Sequence, residues 1–367
     1  ISNCPQSIIQ HIMISNSKPC ISIVAPCYNE EAILTLNIEA IITFLKTISE
    51  KYSYEILIIN DGSKDRTGEI ADDLAKKYPI VKVIHHPANL NLGNALKTGF
   101  KNAKGDVIVV MDIDLSYSVE NIEKLTDKLY ETSADIVLAS PYMKGGKVTA
   151  VPFFRKKMSA WVNRFMRMAA QDKYHTFTGM VRAYRSDFIK NLNLKTRDYE
   201  INPEIIYKGM ILRARIEEIP AHLDWTEQNK FAGKRTSSLR VLRSFFSGLM
   251  SGFIFRPYIF FMGVGFILMA LSLYELIWLL YDTLADLAHP NLALLAGKSP
   301  SFSHSMSLQF QKNPHSFLVG GITFIIAIQF LSVGFLSLQS KRYFEELFHL
   351  GSSIKRKQSR EKDMDGQ

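Results

Sequence analysis

The sequence is poor in cysteine. Only three of its 367 residues are cysteines, and Cys4, Cys20 and Cys27 all fall near the beginning. An odd number confined to one end does not make a set of paired bridges, so we expect the folded part to face a reducing compartment. Residues 1–19 also lack the basic start and long apolar core typical of a signal peptide. We expect them to be a lead-in to the first strand.

Charge is nearly absent from two long apolar stretches. Residues 257–281 contain a single charged side chain, Glu275, and residues 317–339 contain none. A helix needs about 20 apolar residues to cross a bilayer, so both stretches predict transmembrane helices. Glu275 is expected to face the second span or a neighbouring subunit, because a charge exposed to lipid is costly. The second alternative leaves a homo-oligomer open.

The charges beside these stretches are unevenly placed. Residues 229–256 carry six basic side chains and no acidic one, and residues 341–367 carry seven basic and five acidic ones. The segment 282–316 holds only two of each sign. The positive-inside rule then predicts a non-cytoplasmic loop at 282–316, with a cytoplasmic basic tail at 341–367. The net charge of +9 therefore points to anionic lipid headgroups, and no nucleic-acid partner is expected.

Residues 230–256 precede the first span directly. Their leucines and phenylalanines repeat at helical spacing, with arginines on another side. This pattern predicts an amphipathic helix lying in the membrane interface. An ordinary domain helix would show the same pattern, and the position beside a span favours the membrane.

Residues 20–229 alternate short apolar runs with helical patterns. Strands followed by helices predict an α/β domain with a mostly parallel sheet and right-handed crossovers. The predicted strands are 21–26, 55–61, 81–85, 107–112, 135–139, 181–184 and 215–219; the predicted helices are 32–48, 66–78, 93–103, 118–130, 155–170 and 203–210.

Two carboxylates end the most apolar of these runs. Residues 107–110 are all valine or isoleucine, and Asp112 and Asp114 follow one residue apart. The carboxyl end of a buried strand lies where open α/β sheets bind ligands. Like charges this close repel unless a cation lies between them, and carboxylates suit Mg²⁺ or Mn²⁺. The pair therefore predicts a metal and phosphate site, although a solvated loop would also carry an Asp-x-Asp.

Four segments together resemble the inverting family-2 glycosyltransferases of GT-A (Rossmann-like) fold. The nearest type is the dolichyl- and polyprenyl-phosphate hexose synthases, and the two spans resemble their membrane-anchored members. The four segments are VAPCYNEE (24–31), NDGSKD (60–65), NLNLGNALKTG (89–99) and MDID (111–114).

The resemblance implies roles for particular residues. Asp61 and Ser63 would read the base, and Gly93 would let backbone amides approach the donor. Lys97 would either neutralise a phosphate or only coat a helix. Asp114 is expected to bind Mg²⁺ or Mn²⁺ directly, with Asp112 on the metal or the ribose. The remaining nucleotide contacts are assigned to Pro26, Tyr28, Asn29, Glu30 and Ile113.

The segment TGMVRAYR (178–185) resembles the family's acceptor side. Arg182 would grip the acceptor phosphate there. The chain departs from the family pattern elsewhere. Asn91 replaces a glycine and tolerates a left-handed conformation. Ser140-Pro141-Tyr142 replaces a segment with an arginine, for which Lys144, Lys147 or Arg155 could substitute.

The apolar spans and the charge pattern predict an integral membrane protein with a cytoplasmic domain, and the resemblance implies that this domain is catalytic. It would transfer a hexose from a UDP- or GDP-sugar to a polyprenyl phosphate, with inversion. The first alternative is transfer to another lipid or glycolipid. The second is a catalytically inactive membrane scaffold, against which Asp112 and Asp114 argue.

Overall fold

The computed structural model describes residues 18–169, 174–226, 257–288 and 301–365. The chain divides into two compact units, of which the second is Gly252–Gly351 and the first comprises Ile1–Ser251 and Ser352–Gln367. The expected lead-in before residue 18 and the expected interfacial helix at 230–256 lie outside the described residues. Their predictions stay predictions.

The first unit alternates strands and helices along the chain. Its elements are β1 (Cys20–Cys27), α1 (Leu34–Thr47), β2 (Ser53–Asn60), α2 (Thr67–Lys77), β3 (Val81–His85), α3 (Leu92–Asn102), β4 (Val107–Val110), α4 (Asn121–Thr132), β5 (Ile136–Ser140), β6 (Lys147–Thr149), α5 (Phe153–Ala169), β7 (Arg182–Arg185), α6 (Ser186–Asn191), α7 (Ile201–Ile211), β8 (Ile216–Pro220) and β9 (His222–Asp224).

Seven strands form one sheet in the order β3-β2-β1-β4-β7-β5-β8. Every pair is parallel except those of β7, which runs antiparallel to both β4 and β5. The predicted α/β class with a mostly parallel sheet is confirmed. From β1 the chain passes to β2 and β3 on one side and then returns to place β4 on the other. The gap between β1 and β4 is therefore a topological switch point, where such sheets bind ligands.

Helices cover both faces of the sheet, which is why its strands are apolar throughout rather than alternating. On one face Ile21 and Ile23 of β1 pack with the buried side chains of α1, α2 and α4. On the other face Val24 packs with α3, α6 and α7. The approach of α3 is close, since a Cβ on Gly99 would lie 2.3 Å from Val24 Cγ1. Packing on both faces therefore fixes the positions of the strand ends relative to one another.

Three short elements depart from the sequence prediction. Strands β6 and β9 form a separate two-stranded parallel sheet, with Lys147 opposite His222. Helix α6 follows β7 directly. Segments of three to six residues show neither a helical nor a strand period, so periodicity gives no signal for them.

Three further helices are described, α8 (Pro257–Ala288), α9 (Phe302–Lys312) and α10 (Pro314–Asp365), and the second unit contains them as far as Gly351. Two segments, Pro257–Ala288 and Pro314–Phe348, are long and apolar enough to cross a membrane, with mean hydropathies of 2.0 and 2.1. They coincide with the two predicted spans. The helices pack closely where side chains are missing: a Cβ on Gly334 would lie 2.6 Å from Met262 Cγ. Small residues allow such an approach between spans.

The segment between the spans differs from the loop predicted at 282–316. Helix α8 continues to Ala288, and α9 begins after Ser301, whose side chain accepts a hydrogen bond from the His304 backbone. Gln309 and Lys312 donate to the Asp286 carboxylate at 2.7 and 3.0 Å. Hydropathy alone separates spanning from non-spanning segments, and it does not reveal a helix held by polar contacts.

Candidate active site

The predicted site residues converge at the carboxyl ends of β1, β2 and β4. Cys27 at the end of β1 lies opposite Asn60 of β2, and Val24 lies opposite Val110 of β4. Residues 28–31, 61–65 and 111–116 leave the sheet at this one edge. The structure therefore brings three of the four sequence motifs together directly, and the 89–99 segment joins them through Asp61.

Asp112 and Asp114 lie on a tight turn after β4. The Leu115 N–H donates to the Asp112 carbonyl at 3.1 Å, and the Ser116 N–H donates to Asp114 Oδ1 at 2.9 Å. Leu115 has φ of 49°, an uncommon backbone conformation for a side chain of this size. Strain of this kind concentrates at functional sites.

The carboxylates at this edge repel one another. Burial first, then the charges of Asp114 and Glu30, raise the pKa of Asp112 well above its ordinary value. Burial, Asp114 and Asp65 raise the pKa of Glu30 to about 7. A hard divalent cation would relieve this repulsion, because carboxylate oxygens are the ligands that such a cation prefers. Within the ranges that the structure describes, however, no group of three or more His, Cys, Asp or Glu side chains could hold a metal ion.

The segments after β1 and β2 are tied to each other. The Asn29 N–H donates to Ser63 Oγ at 3.0 Å, and the Lys64 N–H donates to Asn29 Oδ1 at 2.8 Å. The Glu30 N–H donates to Thr67 Oγ1 at 2.7 Å. Asn29 and Ser63, which are predicted nucleotide ligands, thus hold the two loops together. Tyr28, beside them, is 38% exposed.

Two predicted binding residues are placed differently. Ile113 is 5% exposed and belongs to the core, and its carbonyl accepts a hydrogen bond from Asn37 Nδ2. Pro26 lies within β1 opposite Ile59. Their side chains shape the strand ends, so any contact of Ile113 with a ligand would involve the backbone.

Asp61 is the innermost carboxylate of the second motif and is 4% exposed. Its Oδ1 accepts from His86 Nδ1 at 2.7 Å and from the Leu90 N–H at 2.9 Å. His86 in turn contacts Thr98 Oγ1 through Nε2 at 2.9 Å. The sequence analysis missed His86. Its position directly after β3, at the same edge of the sheet, was the available signal.

The structure shows a packing constraint at Gly93 that the sequence does not reveal. A Cβ there would lie 2.6 Å from the Arg197 carbonyl carbon, and the Gly93 N–H donates to the Arg197 carbonyl oxygen at 2.9 Å. The glycine thus makes room for the 197–198 backbone, and its expected role toward the donor stays a prediction. Asn91, where the family pattern has glycine, has φ of 70°, so the expected tolerance for positive φ is used.

Lys97 is half-buried on α3. Burial lowers its pKa, the charges of Arg197 and Lys195 lower it further, and Glu204 opposes them. Glu204 itself pairs with Lys208, so Lys97 lies among further cations around a carboxylate that is already paired. The two alternatives for Lys97, a phosphate ligand or a lysine that coats the helix, stay predictions.

The position of Arg182 differs from the one predicted from the sequence. Its side chain is 1% exposed, and its guanidinium donates to the carbonyls of Gly179, Asn202 and Phe177 at 2.7, 2.9 and 2.7 Å. A strand residue in the middle of a sheet points into one of the two cores, and the sequence motif did not show this direction. The structure does not bring Arg182 to an open acceptor surface.

Other residues near the predicted acceptor segment also hold the domain together. The Glu218 carboxylate accepts from the backbone and ring of His175 and from the Thr176 N–H. The hydrogen bonds of His175 are thus satisfied within the domain. Lys144 and Lys147 are exposed, and the side chain of Arg155 is not among those that the structure describes.

Part of the first unit is similar to known proteins. Residues 22–192 match the model of glycosyl transferase family 2. The chain is 36% identical over 203 residues to a dolichol-phosphate mannosyltransferase of Pyrococcus furiosus, covering 54% of this chain and 55% of that protein. It is 33% identical over 181 residues to a prophage bactoprenol glucosyl transferase homolog of Escherichia coli, covering 47% of this chain and 55% of that protein.

A third relative is the dolichyl-phosphate beta-glucosyltransferase ALG5A of Trichomonas vaginalis, 26% identical over 215 residues, covering 56% of this chain and 66% of that protein. The chain thus spans between about half and two thirds of the length of these curated relatives. Among solved structures, glucosyl-3-phosphoglycerate synthase from Mycobacterium tuberculosis, in complex with Mn²⁺, uridine diphosphate and phosphoglyceric acid, is 18% identical with a TM-score of 0.47, covering 64% of this chain and 78% of that chain.

Proposed function

We propose that this protein transfers a hexose from a nucleotide sugar to a polyprenyl phosphate, with inversion at the anomeric carbon. The match of residues 22–192 to the model of glycosyl transferase family 2 supports this reaction class. The observation that carries the proposal is the group of mutually repelling carboxylates at the β1/β4 switch point, in a chain with two helices long enough to span a membrane. The names of the relatives support this substrate class.

Asp112 and Asp114 would hold a divalent cation, with Glu30 close by. Their all-oxygen donor set suits Mg²⁺ or Mn²⁺, which keep several ligand positions for water and substrate phosphates. This agrees with the lack of a third close protein ligand among the described residues. When bound, the cation would neutralise the diphosphate that leaves the sugar.

In the transfer step, an oxygen of the acceptor phosphate bonds to the anomeric carbon as the bond from that carbon to the donor diphosphate breaks. The products are a glycosyl phosphate lipid and a nucleoside diphosphate. A phosphate monoester is already ionised near neutral pH, since its second pKa is about 6. No strong general base is then needed.

The remaining residues bind and orient. Asp61 reads the base of the donor, and Tyr28 with the backbone of 28–31 lines the nucleotide side. Lys97 lies with Lys195 and Arg197, and we assign this positive group to a phosphate. Arg182 acts as a positioning residue, because it holds the carbonyls of the 177–179 loop and of α7.

Both chain ends would face the cytoplasm, with the catalytic domain on that side. Six basic residues in 229–256 and seven in 341–367 support this orientation. A polyprenyl phosphate offers its headgroup at the membrane surface, where the basic segment would hold the domain.

The proposal is tested with membranes that contain the full-length chain. They are incubated with a polyprenyl phosphate and radiolabelled UDP- or GDP-hexose, and label is measured in a mild-acid-labile lipid. Asp114→Asn removes one charge from the cation site, so we expect transfer to fall at least about 100-fold, which corresponds to several kcal/mol of transition-state stabilisation.

Asp73→Asn is the matched control. Asp73 lies on α2 with a side chain 75% exposed and pairs only with Lys76 in the described contacts, so labelling should be retained. Label in a mild-acid-stable lipid would indicate another acceptor. Equal labelling by wild type and Asp114→Asn would exclude the assigned metal residues, and no labelling by any donor would refute the enzyme itself.

A further inference from the structure

The two oxygens of the Asp61 carboxylate are not equivalent. Both hydrogen bonds that the described residues donate to this side chain end on Oδ1, one from His86 Nδ1 at 2.7 Å and one from the Leu90 N–H at 2.9 Å. A carboxylate oxygen offers about two acceptor positions. Oδ1 is therefore filled, and Oδ2 is the oxygen left for a ligand.

The orientation of His86 follows from its partners. A carboxylate can only accept, so Nδ1 carries the proton in the bond to Asp61. The other ring nitrogen, Nε2, lies 2.9 Å from Thr98 Oγ1 on α3. The His86 side chain is 8% exposed, and its backbone N–H donates to the Asn60 carbonyl at 2.9 Å. The ring is held at both nitrogens and at its backbone.

The Leu90 contact is equally constrained. Gly62 has φ of +64°, and a Cβ on it would lie 2.3 Å from the Ala88 carbonyl carbon. The 88–90 segment thus packs directly on the turn that carries Asp61, in a place that only glycine permits. Asp61 cannot rotate to present both oxygens without breaking two hydrogen bonds in a closely packed region.

The bases of nucleotide donors differ in what they offer a carboxylate. The Watson–Crick edge of guanine presents two neighbouring N–H donors, N1–H and N2–H, which two carboxylate oxygens accept together. The edge of uracil presents one donor, N3–H, between two carbonyl oxygens. The two N–H bonds of the guanine edge point in nearly the same direction, so a single carboxylate oxygen can be well aligned with only one of them. If Asp61 has one oxygen available, it pairs with the single donor of uracil but leaves one guanine donor without an aligned partner on burial, which weakens the binding of guanine.

We propose that His86 makes Asp61 a one-oxygen reader of the donor base and so selects a uracil nucleotide over a guanine nucleotide. This inference rests on the proposed function, because it takes Asp61 as the residue that meets the base. His86 is then a positioning residue that determines specificity without touching the donor.

The test compares equilibrium binding of UDP and of GDP to the full-length chain in detergent with Mg²⁺, by isothermal titration calorimetry. We expect UDP to bind at least about tenfold more tightly than GDP. In His86→Phe, Oδ1 regains an acceptor position, so the ratio of the two dissociation constants should narrow toward one. Thr98→Val removes the contact to His86 Nε2 and should narrow this ratio less than His86→Phe does.

His85→Phe is the matched control. His85 is the neighbouring residue, but it pairs with Asn60 Nδ2 and Asp72 rather than with Asp61, so the ratio should stay as in wild type. If His86 has only a structural role, His86→Phe should weaken the binding of UDP and GDP alike and leave the ratio of their dissociation constants unchanged. That result would overturn the proposal.

The wild-type ratio is decisive even if the His86 variant does not fold. GDP binding as tightly as UDP overturns the inference about the base and leaves the proposed function intact. Failure of both nucleotides to bind refutes the proposed function instead.

Discussion

Arg182 is a buried cation held by carbonyl oxygens. Three of its N–H groups end on the carbonyls of Phe177, Gly179 and Asn202, which belong to a loop and to α7. Burial lowers the pKa of its guanidinium, and the neighbouring Tyr184 raises it. A planar group with five fixed donors can join several carbonyls at once, which a lysine cannot do.

The first prediction therefore concerns stability. Arg182→Met leaves three carbonyls without their donor, and a buried unpaired group costs about 1–3 kcal/mol. We expect the free energy of unfolding to fall by about 3 kcal/mol in urea denaturation of the full chain without substrate. Arg185→Met, on the same strand but 37% exposed and paired with Asp187, should lose less than about 1 kcal/mol. Unchanged stability together with a raised KM for the lipid acceptor would instead assign Arg182 to the acceptor phosphate.

For individual residues, the sequence predicts which region of the fold they occupy but not which atoms they contact. Asp112, Asp114 and Asp61 follow strand ends, and the parallel order of β1, β2 and β4 brings strand ends to one edge, so their meeting was predictable. Gly93 and Arg182 were assigned to ligands, yet they contact the Arg197 backbone and three carbonyls. The contacts with Arg197 and Asn202 depend on segments about 100 and 20 residues away, which the motifs do not contain. The contacts with Phe177 and Gly179 are local, but they depend on the direction of the Arg182 side chain, which a motif does not show.

At the scale of elements, α7 fixes the loop before it. The Glu204 carboxylate accepts from the Lys195 N–H, the Thr196 N–H and the Thr196 hydroxyl at 2.8, 3.0 and 2.6 Å. Lys208, one turn further along α7, bonds both Glu204 and the Asn193 carbonyl. The same loop receives the Gly93 N–H at Arg197. Helix α7 thereby sets the position of the loop against the start of α3.

This network predicts a pH dependence. Burial alone would raise the pKa of Glu204, but hydrogen bonds from Lys208, Thr196 and the backbone outweigh it and hold the pKa below its ordinary value of 4.5. A depressed folded pKa contributes stability that is complete above the unfolded value and is lost as pH falls through the folded one.

We therefore expect wild type to exceed Glu204→Gln in free energy of unfolding by about 3 kcal/mol at pH 7, a magnitude typical of breaking a buried pair. The difference should shrink as pH falls below about 4.5. Denaturant titrations between pH 3 and pH 7 measure it. Glu217→Gln, whose side chain is 33% exposed, should show no comparable loss. A difference that stays constant over this range would contradict the linkage.

The long elements were predictable and the short ones were not. Helices such as α1 and α7 and the buried strands β2 and β5 have enough residues for a period to show. Strands β6 and β9 have three residues each and exist because they pair with each other. Helix α9 was treated as loop because it is only moderately apolar, although Ser301 offered a capping signal.

At the scale of the whole molecule, the chain joins a domain that matches the model of glycosyl transferase family 2 over residues 22–192 to two helices of membrane-spanning length. The basic residues concentrate before the first span and after the second, whereas the segment between the spans is nearly neutral. This asymmetry is the basis of the proposed orientation.

Cysteine labelling checks this orientation. Ser303→Cys lies on α9 and is exposed, so a membrane-impermeant maleimide added to intact cells should label it. Ser359→Cys lies in the basic tail and should react only after permeabilisation. The unsubstituted chain gives the background from its own cysteines. The opposite pattern would reverse the assignment of sides.

The small sheet of β6 and β9 has a practical consequence for anyone shortening this chain. Tyr117, three residues after Asp114, bridges to Leu223, and the Asp224 N–H donates to the Ser116 carbonyl at 2.9 Å. The turn that carries Asp114 is thus fastened by residues more than 100 positions further along. A soluble fragment cut at residue 192, where the family match ends, would keep every sequence motif up to Arg182 and still leave that turn open on one side. The cut belongs after Thr226, whose N–H and hydroxyl both bond the Asp224 carboxylate.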